Sequence, residues 1–225
     1  MNPQVVKAEA QGNRQRMLRL AEMESKFGFI FIAMVGIPCI FEMDALLNVW
    51  LGNAPEHAAF FCRMVVLASI CDNLTYGLVT ANQAIGDIKK FSIYINSIKL
   101  LALPVAIIFM LSGFSIHSVM YGYVFFELIS SLARIPMLQK EGGLIVHHFV
   151  NSVFVKEFLT IAVVVVVSYL CVILFDFRFR FLITFFLTIV LGMITALLTG
   201  LCVDERQIVM GVVKNIKERI IKKKQ

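Results

Sequence analysis

The residues able to do chemistry in this chain are few, and they stand inside apolar runs. Asp72 and Asn73 interrupt the stretch 58–85, and Tyr76, Thr80 and Gln83 follow at helical spacing. Lys99 interrupts the next stretch, 91–113, and the one after, 116–138, carries Tyr123, Glu127, Ser130, Ser131 and Arg134 on one helical face. Arg63 is a further cation embedded in such a run. An ionisable group in hydrocarbon costs roughly 2.5–3.5 kcal/mol on insertion scales, so each of these is a candidate for a substrate or ion pathway.

Depth sorts them further. Asp72 is about fourteen residues from either end of its stretch, near the bilayer midplane at the helical rise. A polar stripe from Asp72 through Tyr76, Thr80 and Gln83 faces either a water-filled cleft or other helices, to which it would be stapled by hydrogen bonds. Lys99 and Glu127 lie ~12 and ~15 Å from the same interface on consecutive antiparallel spans, which fits an ion pair, with separate snorkelling of Lys99 as the rival. Arg134 is close enough to its interface to snorkel. No neighbouring cation matches Asp72, Lys99 being ~8 Å shallower by the same rise. The expectation is therefore an unpaired Asp72 solvated by a cleft.

Other chemistries are excluded. Cys39, Cys62, Cys71, Cys171 and Cys202 all lie in apolar stretches without the short spacing of a zinc or redox pair. His147 and His148 are adjacent, with no metal-ligand pattern around them. There is no glycine-rich phosphate loop with its Lys and no Ser-His-Asp set. No enzyme activity, metal or cofactor is expected.

The elements that must position these residues follow from composition. Of 225 residues, 59% are hydrophobic and 16% charged, against roughly 25% charged in soluble domains. Six apolar segments, 27–51, 58–85, 91–113, 116–138, 157–175 and 179–202, are each near the ~20 residues a helix needs to cross the bilayer. They are too long for barrel strands. The fold class expected is an all-α bundle of six transmembrane spans. The net charge of +6 follows the positive-inside rule, not a nucleic-acid surface. Sixteen Lys and Arg fall in the N-terminal, second, fourth and C-terminal gaps, against Arg178 and Arg180 in the others, which predicts both termini in the cytoplasm.

The expected organisation is a connecting segment at 1–26, four spans over 27–138, a cytoplasmic loop at 139–156, two further spans over 157–202 and a basic amphipathic tail at 203–225. In the tail, Ile208, Val212, Ile216 and Ile220 recur every four residues among Lys and Arg, suiting it to an anionic leaflet. Residues 1–26 have no apolar core segment, so no cleavable signal is expected. Gly12-Asn13 reads as a turn and helix cap. Pro38 and Pro104 interrupt the first and third spans as possible kinks, and Trp50, beyond Glu42 and Asp44, fits the interfacial belt.

Several strings together resemble a known family. Asn2-Pro3-Gln4-Val5-Val6-Lys7, Gly12-Asn13, Met17, Ser25-Lys26-Phe27, Pro38, Trp50-Leu51-Gly52 with Pro55, and Thr80-Ala81 leading to Ala84, Gly86, Lys89 and Lys90 occur in order. Leu103-Pro104, Gly113-Phe114 and Arg134 complete the set. Over roughly residues 2–140 the chain resembles the oligosaccharide flippases of the multidrug/oligosaccharidyl-lipid/polysaccharide exporter superfamily. The resemblance implies two six-helix bundles facing each other across a cleft, with two extra C-terminal helices. In that scheme this chain supplies helices nine to twelve and the extra pair, and the first bundle would come from elsewhere, as a missing part or a partner chain. It further implies translocation of a lipid-linked oligosaccharide across the bacterial cytoplasmic membrane, for lipopolysaccharide, O-antigen or capsule. On chemical grounds, Arg63, Lys99 and Arg134 would then meet the diphosphate, and Asp72 and Glu127 would couple a proton or sodium ion. The alternatives are a drug or cation antiporter of the same superfamily, binding through Asp72 and Glu127, and a small membrane scaffold whose polar stripes are staples.

Overall fold

A computed structural model describes residues 2–177 and 179–200, and among these every regular element is helical. Helix α1 is Asn2–Ala10 and α2 is Arg14–Phe41. Between them Gly12 takes a left-handed φ of 72°, and the Asn13 side chain accepts from the backbone N–H of Arg16 at 3.1 Å. The turn and cap therefore form where expected. The helix behind them starts well before 27, because Met17 and Ala21 bury one face while charged residues cover the other. A hydropathy run does not register an amphipathic stretch of that kind.

The first expected span is also broken. Helix α2 stops at Phe41 and α3, Met43–Leu51, follows after Glu42. The break falls at the buried Glu42, four residues beyond Pro38. Trp50 is 80% exposed on α3. Helix α4, Ala58–Asn73, and α5, Tyr76–Ile85, are bent by 46° at Leu74-Thr75, with no proline involved. Helices α6, Ile88–Leu100, and α7, Ala102–Leu111, join at Leu101. Pro104 falls in the first turn of α7, where its missing N–H has no intrahelical partner to lose.

Helix α8 is Ile116–Gly142 and α9 is Val146–Leu174. The expected loop 139–156 is thus mostly helix, with only 143–145 between the two. Residues Val150–Val155 of α9 are π-helical. Helix α10, Arg180–Thr195, continues as a π-helical turn, Ala196–Gly200. The amphipathic tail at 203–225, Cys202 and Arg178 lie outside the described residues.

Among the described residues five helices are long and apolar enough to cross a membrane, and the bent pair α4–α5 makes a sixth if it counts as one span. Helix α2 is central: half of its apolar window is buried, against 6% for Ile88–Leu111. Two apolar clusters flank it along its length. One gathers Val5, Met17, Leu78, Leu138 and Phe149 from α1, α2, α5, α8 and α9. The other gathers Phe29, Met34, Ile70 and Val164 from α2, α4 and α9. Helices α2 and α5 meet closely at Gly77, whose N–H donates to Ser25 Oγ at 3.0 Å. A Cβ on Gly77 would lie 2.0 Å from the Ala21 carbonyl oxygen, so only glycine permits this approach.

Candidate functional site

The bend between α4 and α5 creates the site. Where a helix stops, its last carbonyls lose their intrahelical donors and its C-terminus carries partial negative charge. Asp72 sits in the last turn of α4 and adds a carboxylate to that charge. Arg134, from the middle of α8, meets both: Nη1 donates to the Asp72 backbone oxygen at 2.8 Å, and Nη2 pairs with Asp72 Oδ1. Nη1 also lies 3.5 Å from Thr75 Oγ1. Thr75, in the bend itself, donates to the Ser131 carbonyl at 2.8 Å, with Ser131 Oγ at 2.9 Å. The broken backbone is thereby secured to α8 by side chains.

Lys99, from the last turn of α6, completes a quartet. Its Nζ lies 2.9 Å from Asp72 Oδ1 and 2.6 Å from Glu127 Oε2. The contact with Glu127 is an ion pair not aligned as a hydrogen bond, since Oε2 has no hydrogen-bond partner. Ser130 Oγ donates to the Glu127 carbonyl at 2.9 Å. Two cations and two anions leave the group neutral in total, which lowers the cost of placing it between apolar helices. The arrangement is not sealed. The Arg134 side chain is 4% exposed, but those of Asp72 and Lys99 are 28% and 29% exposed. The accessible edge of the group is thus at Asp72 and Lys99, while Arg134 is enclosed.

Lys99 and Glu127 thus pair as their depths suggest. Asp72 is neither unpaired nor solvated alone. The depth estimate assumed a straight helix and ignored the reach of long side chains; the bend and the Lys and Arg stems close the gap. Arg134 does not snorkel, because the open carbonyl of Asp72 and its carboxylate hold it inside. The stripe is not uniform along the bent pair: Tyr76 and Gln83 are exposed, Asp72 is part-exposed and Thr80 is buried. Asn73 turns back on its own helix, donating to the Ser69 carbonyl at 2.9 Å. Arg63 lies apart, at the far end of α2, where Nε donates to the Ile40 carbonyl at 3.0 Å and the guanidinium pairs with Asp44. Among the described residues no group of three His, Cys, Asp or Glu is placed to hold a metal ion.

A second charged group escaped the sequence reading. Glu42, fully buried at the α2–α3 break, is gripped by Arg180 of α10, with Nε 2.9 Å from Oε1 and Nη2 2.9 Å from Oε2. Thr184 Oγ1 donates to Oε1 at 2.8 Å. Arg180 Nη1 donates to the carbonyls of Val172 and Phe175 at the end of α9, both at 3.1 Å. The available signal was that Arg180 stands in a gap nearly devoid of cations. Such a residue has a specific anion to meet more often than a leaflet.

The described residues form an all-helical fold with several helices long and apolar enough to cross a membrane. Comparison of the chain with protein-family models, with curated proteins and with solved structures finds no match.

Proposed function

We propose that this chain is a membrane protein of the bacterial cytoplasmic membrane and forms the C-terminal part of a flippase for a lipid-linked oligosaccharide. The observation that carries the reading is the Asp72–Lys99–Glu127–Arg134 quartet at a bent, broken helix. Broken helices with charges at their ends serve transporters as binding and coupling points, since irregular backbone is tolerated at depth only where protein or a water-filled cavity satisfies it. In this proposal Asp72 and Lys99, on the accessible side, respond to a proton or to the diphosphate of the substrate. Arg134 holds the bend. The thinly covered helices α6 and α7 meet the first bundle, which a partner chain or a further part of the protein supplies.

The test is genetic and biochemical. Cells lacking this chain should lose surface polysaccharide and accumulate its lipid-linked precursor. An Asp72→Asn chain should restore only part of the export at normal abundance in the membrane. Unchanged polysaccharide in the deletion strain would remove the flippase reading. The pairing of Asp72 by two cations favours one other reading, a membrane scaffold in which the quartet only fastens α4, α6 and α8. In that case Asp72→Asn lowers the amount of folded chain and leaves the export per folded molecule unaltered.

A further inference from the structure

A large cavity opens away from the quartet, at the end of the bundle where α2 begins, α8 ends and α9 begins. It encloses about 1220 Å³ between the first turns of α2 and the first turns of α9. Its charge is one-sided. Arg14, Arg16, Arg19, Lys26 and Lys156 line it, against the single carboxylate of Glu22. The order on each wall is helical: Arg19, Glu22 and Lys26 on α2 face His148, Ser152 and Lys156 on α9. The walls touch where His148 Nδ1 lies 3.2 Å from Glu22 Oε1. Lys26 is 1% exposed and still borders the space.

These cations have different degrees of freedom. Arg14 is engaged with Glu9, and its Nη1 donates to the Glu141 carbonyl at 3.3 Å. Arg19, Lys26 and Lys156 also hold contacts within the protein. Arg16 is exposed. Even so, with Glu9 set against Arg14 and Glu22 in the lining, the cations keep the site net positive, and a concave site attracts anions more strongly than the same charges on a flat surface. The α9 wall is the π-helical segment, which supplies Asn151 and Ser152 to the lining. Widened turns of that kind are frequent where a helix builds a binding site.

We infer that this cavity binds the phosphate headgroup of an anionic membrane lipid. Guanidinium and ammonium groups with hydroxyl and amide side chains are the donor set that phosphate oxygens take. The volume exceeds what a bare phosphate needs and admits a headgroup. The surface leading away from it is apolar: Val155, at the end of the π-helical segment, and Phe158 and Leu159 just beyond it are all exposed on α9, where acyl chains would lie. A soluble anion would have no use for that surface. The inference does not depend on what the quartet does, and it stands whether or not the chain moves a sugar.

The purified full-length chain in an uncharged detergent can be titrated with phosphatidylglycerol or phosphatidylcholine and followed by native mass spectrometry. The expected result is a preference for phosphatidylglycerol that the variant Arg16→Gln/Arg19→Gln/Lys156→Gln loses, at roughly five-fold per cation removed. A charge-matched control, Lys89→Gln/Lys90→Gln/Lys140→Gln, should keep most of it. Should the triple variant fail to fold, Arg16→Gln alone, at an exposed position, should weaken binding by about five-fold. Equal losses in variant and control, or no headgroup preference in the unaltered chain, would overturn the site. Binding of inorganic phosphate in place of lipid, without preference between the two lipids, would overturn the lipid assignment.

Discussion

Arg134 and Lys99 touch the same carboxylate and should respond differently to removal. Arg134 is buried, bonds a backbone carbonyl as well as Asp72, and fits its place as a planar fork. Arg134→Met leaves Asp72 and an open helix end without their donor, and about 3 kcal/mol of stability should be lost in denaturation of the detergent-solubilised chain. Arg134→Lys should recover little of it, because an ammonium cannot span the carbonyl and the carboxylate together. Lys99→Met should cost less, roughly 1–2 kcal/mol, since the Lys99 and Asp72 side chains are part-exposed and Arg134 still holds Asp72. Removing Glu127 as well should lessen that cost; a Lys99→Met/Glu127→Met chain less stable than either single variant would show that the two side chains do not act as a pair. At this scale the sequence was partly legible. Spacing and depth are enough to couple Lys99 with Glu127, because the helix between each of them and their common interface is unbroken and can be measured by residue count. They fail for Asp72, whose surroundings depend on a bend that no proline announces.

Helices meet here through small residues and buried charges, and both contacts can be tested. Gly77→Ala places a methyl against the Ala21 carbonyl and Ser25, so α2 and α5 must separate; a loss of about 3 kcal/mol or more, or failure to accumulate, is expected. Gly122→Ala is the control: its nearest neighbour, Phe109 Cε2, would be 3.8 Å away, and stability should change by no more than about 0.5 kcal/mol. Glu42→Ala should cost about 3–5 kcal/mol, because Arg180 would remain largely enclosed without its anion. Element existence and type were readable from hydropathy, since each apolar run is helical. Boundaries were not. The start of α2 is amphipathic, and the start of α9, Val146–Phe149 with the π-helical turns behind it, carries two histidines and interleaved polar residues that interrupt the apolar signal. The α2–α3 break was invisible because its cause lies in α10: a carboxylate in an apolar helix is tolerable only where a distant arginine meets it.

For the whole molecule, the charge distribution predicts a topology. If the distribution of Lys and Arg sets orientation, reporter fusions at Asn53 and at Gln225 should report opposite sides of the membrane; the same side for both would remove the six-span arrangement. Helices α6 and α7 predict a further property. Their apolar surface is almost wholly uncovered within this chain, with Leu103, Ile107, Ile108 and Leu111 all exposed. Lipid satisfies such a surface as well as protein does, so exposure alone does not name a partner. Crosslinking from single cysteines at Leu103 and Leu111 in native membranes would separate the two: a discrete adduct indicates a packed protein, and its absence with efficient lipid labelling indicates bilayer.

Three helix ends in this molecule are closed in the same way. Arg63 meets the end of α2, Arg134 that of α4 and Arg180 that of α9, each donating to backbone carbonyls and to a carboxylate. The partners are far apart along the chain: Arg134 follows Asp72 by 62 residues and Arg180 follows Glu42 by 138. A ribosome delivers them in that order. Until α8 emerges, the carboxylate of Asp72 lacks Arg134, and until α10 emerges Glu42 lacks its guanidinium. A nascent chain stopped before residue 134 should therefore be held at the insertion machinery or degraded. One stopped after residue 142 should release α4 and α5 into the lipid while Glu42 still waits. Protease resistance of such arrested chains should rise in two steps, at the synthesis of α8 and again at α10, and the last helices made would set the moment at which the first ones become safe in the membrane.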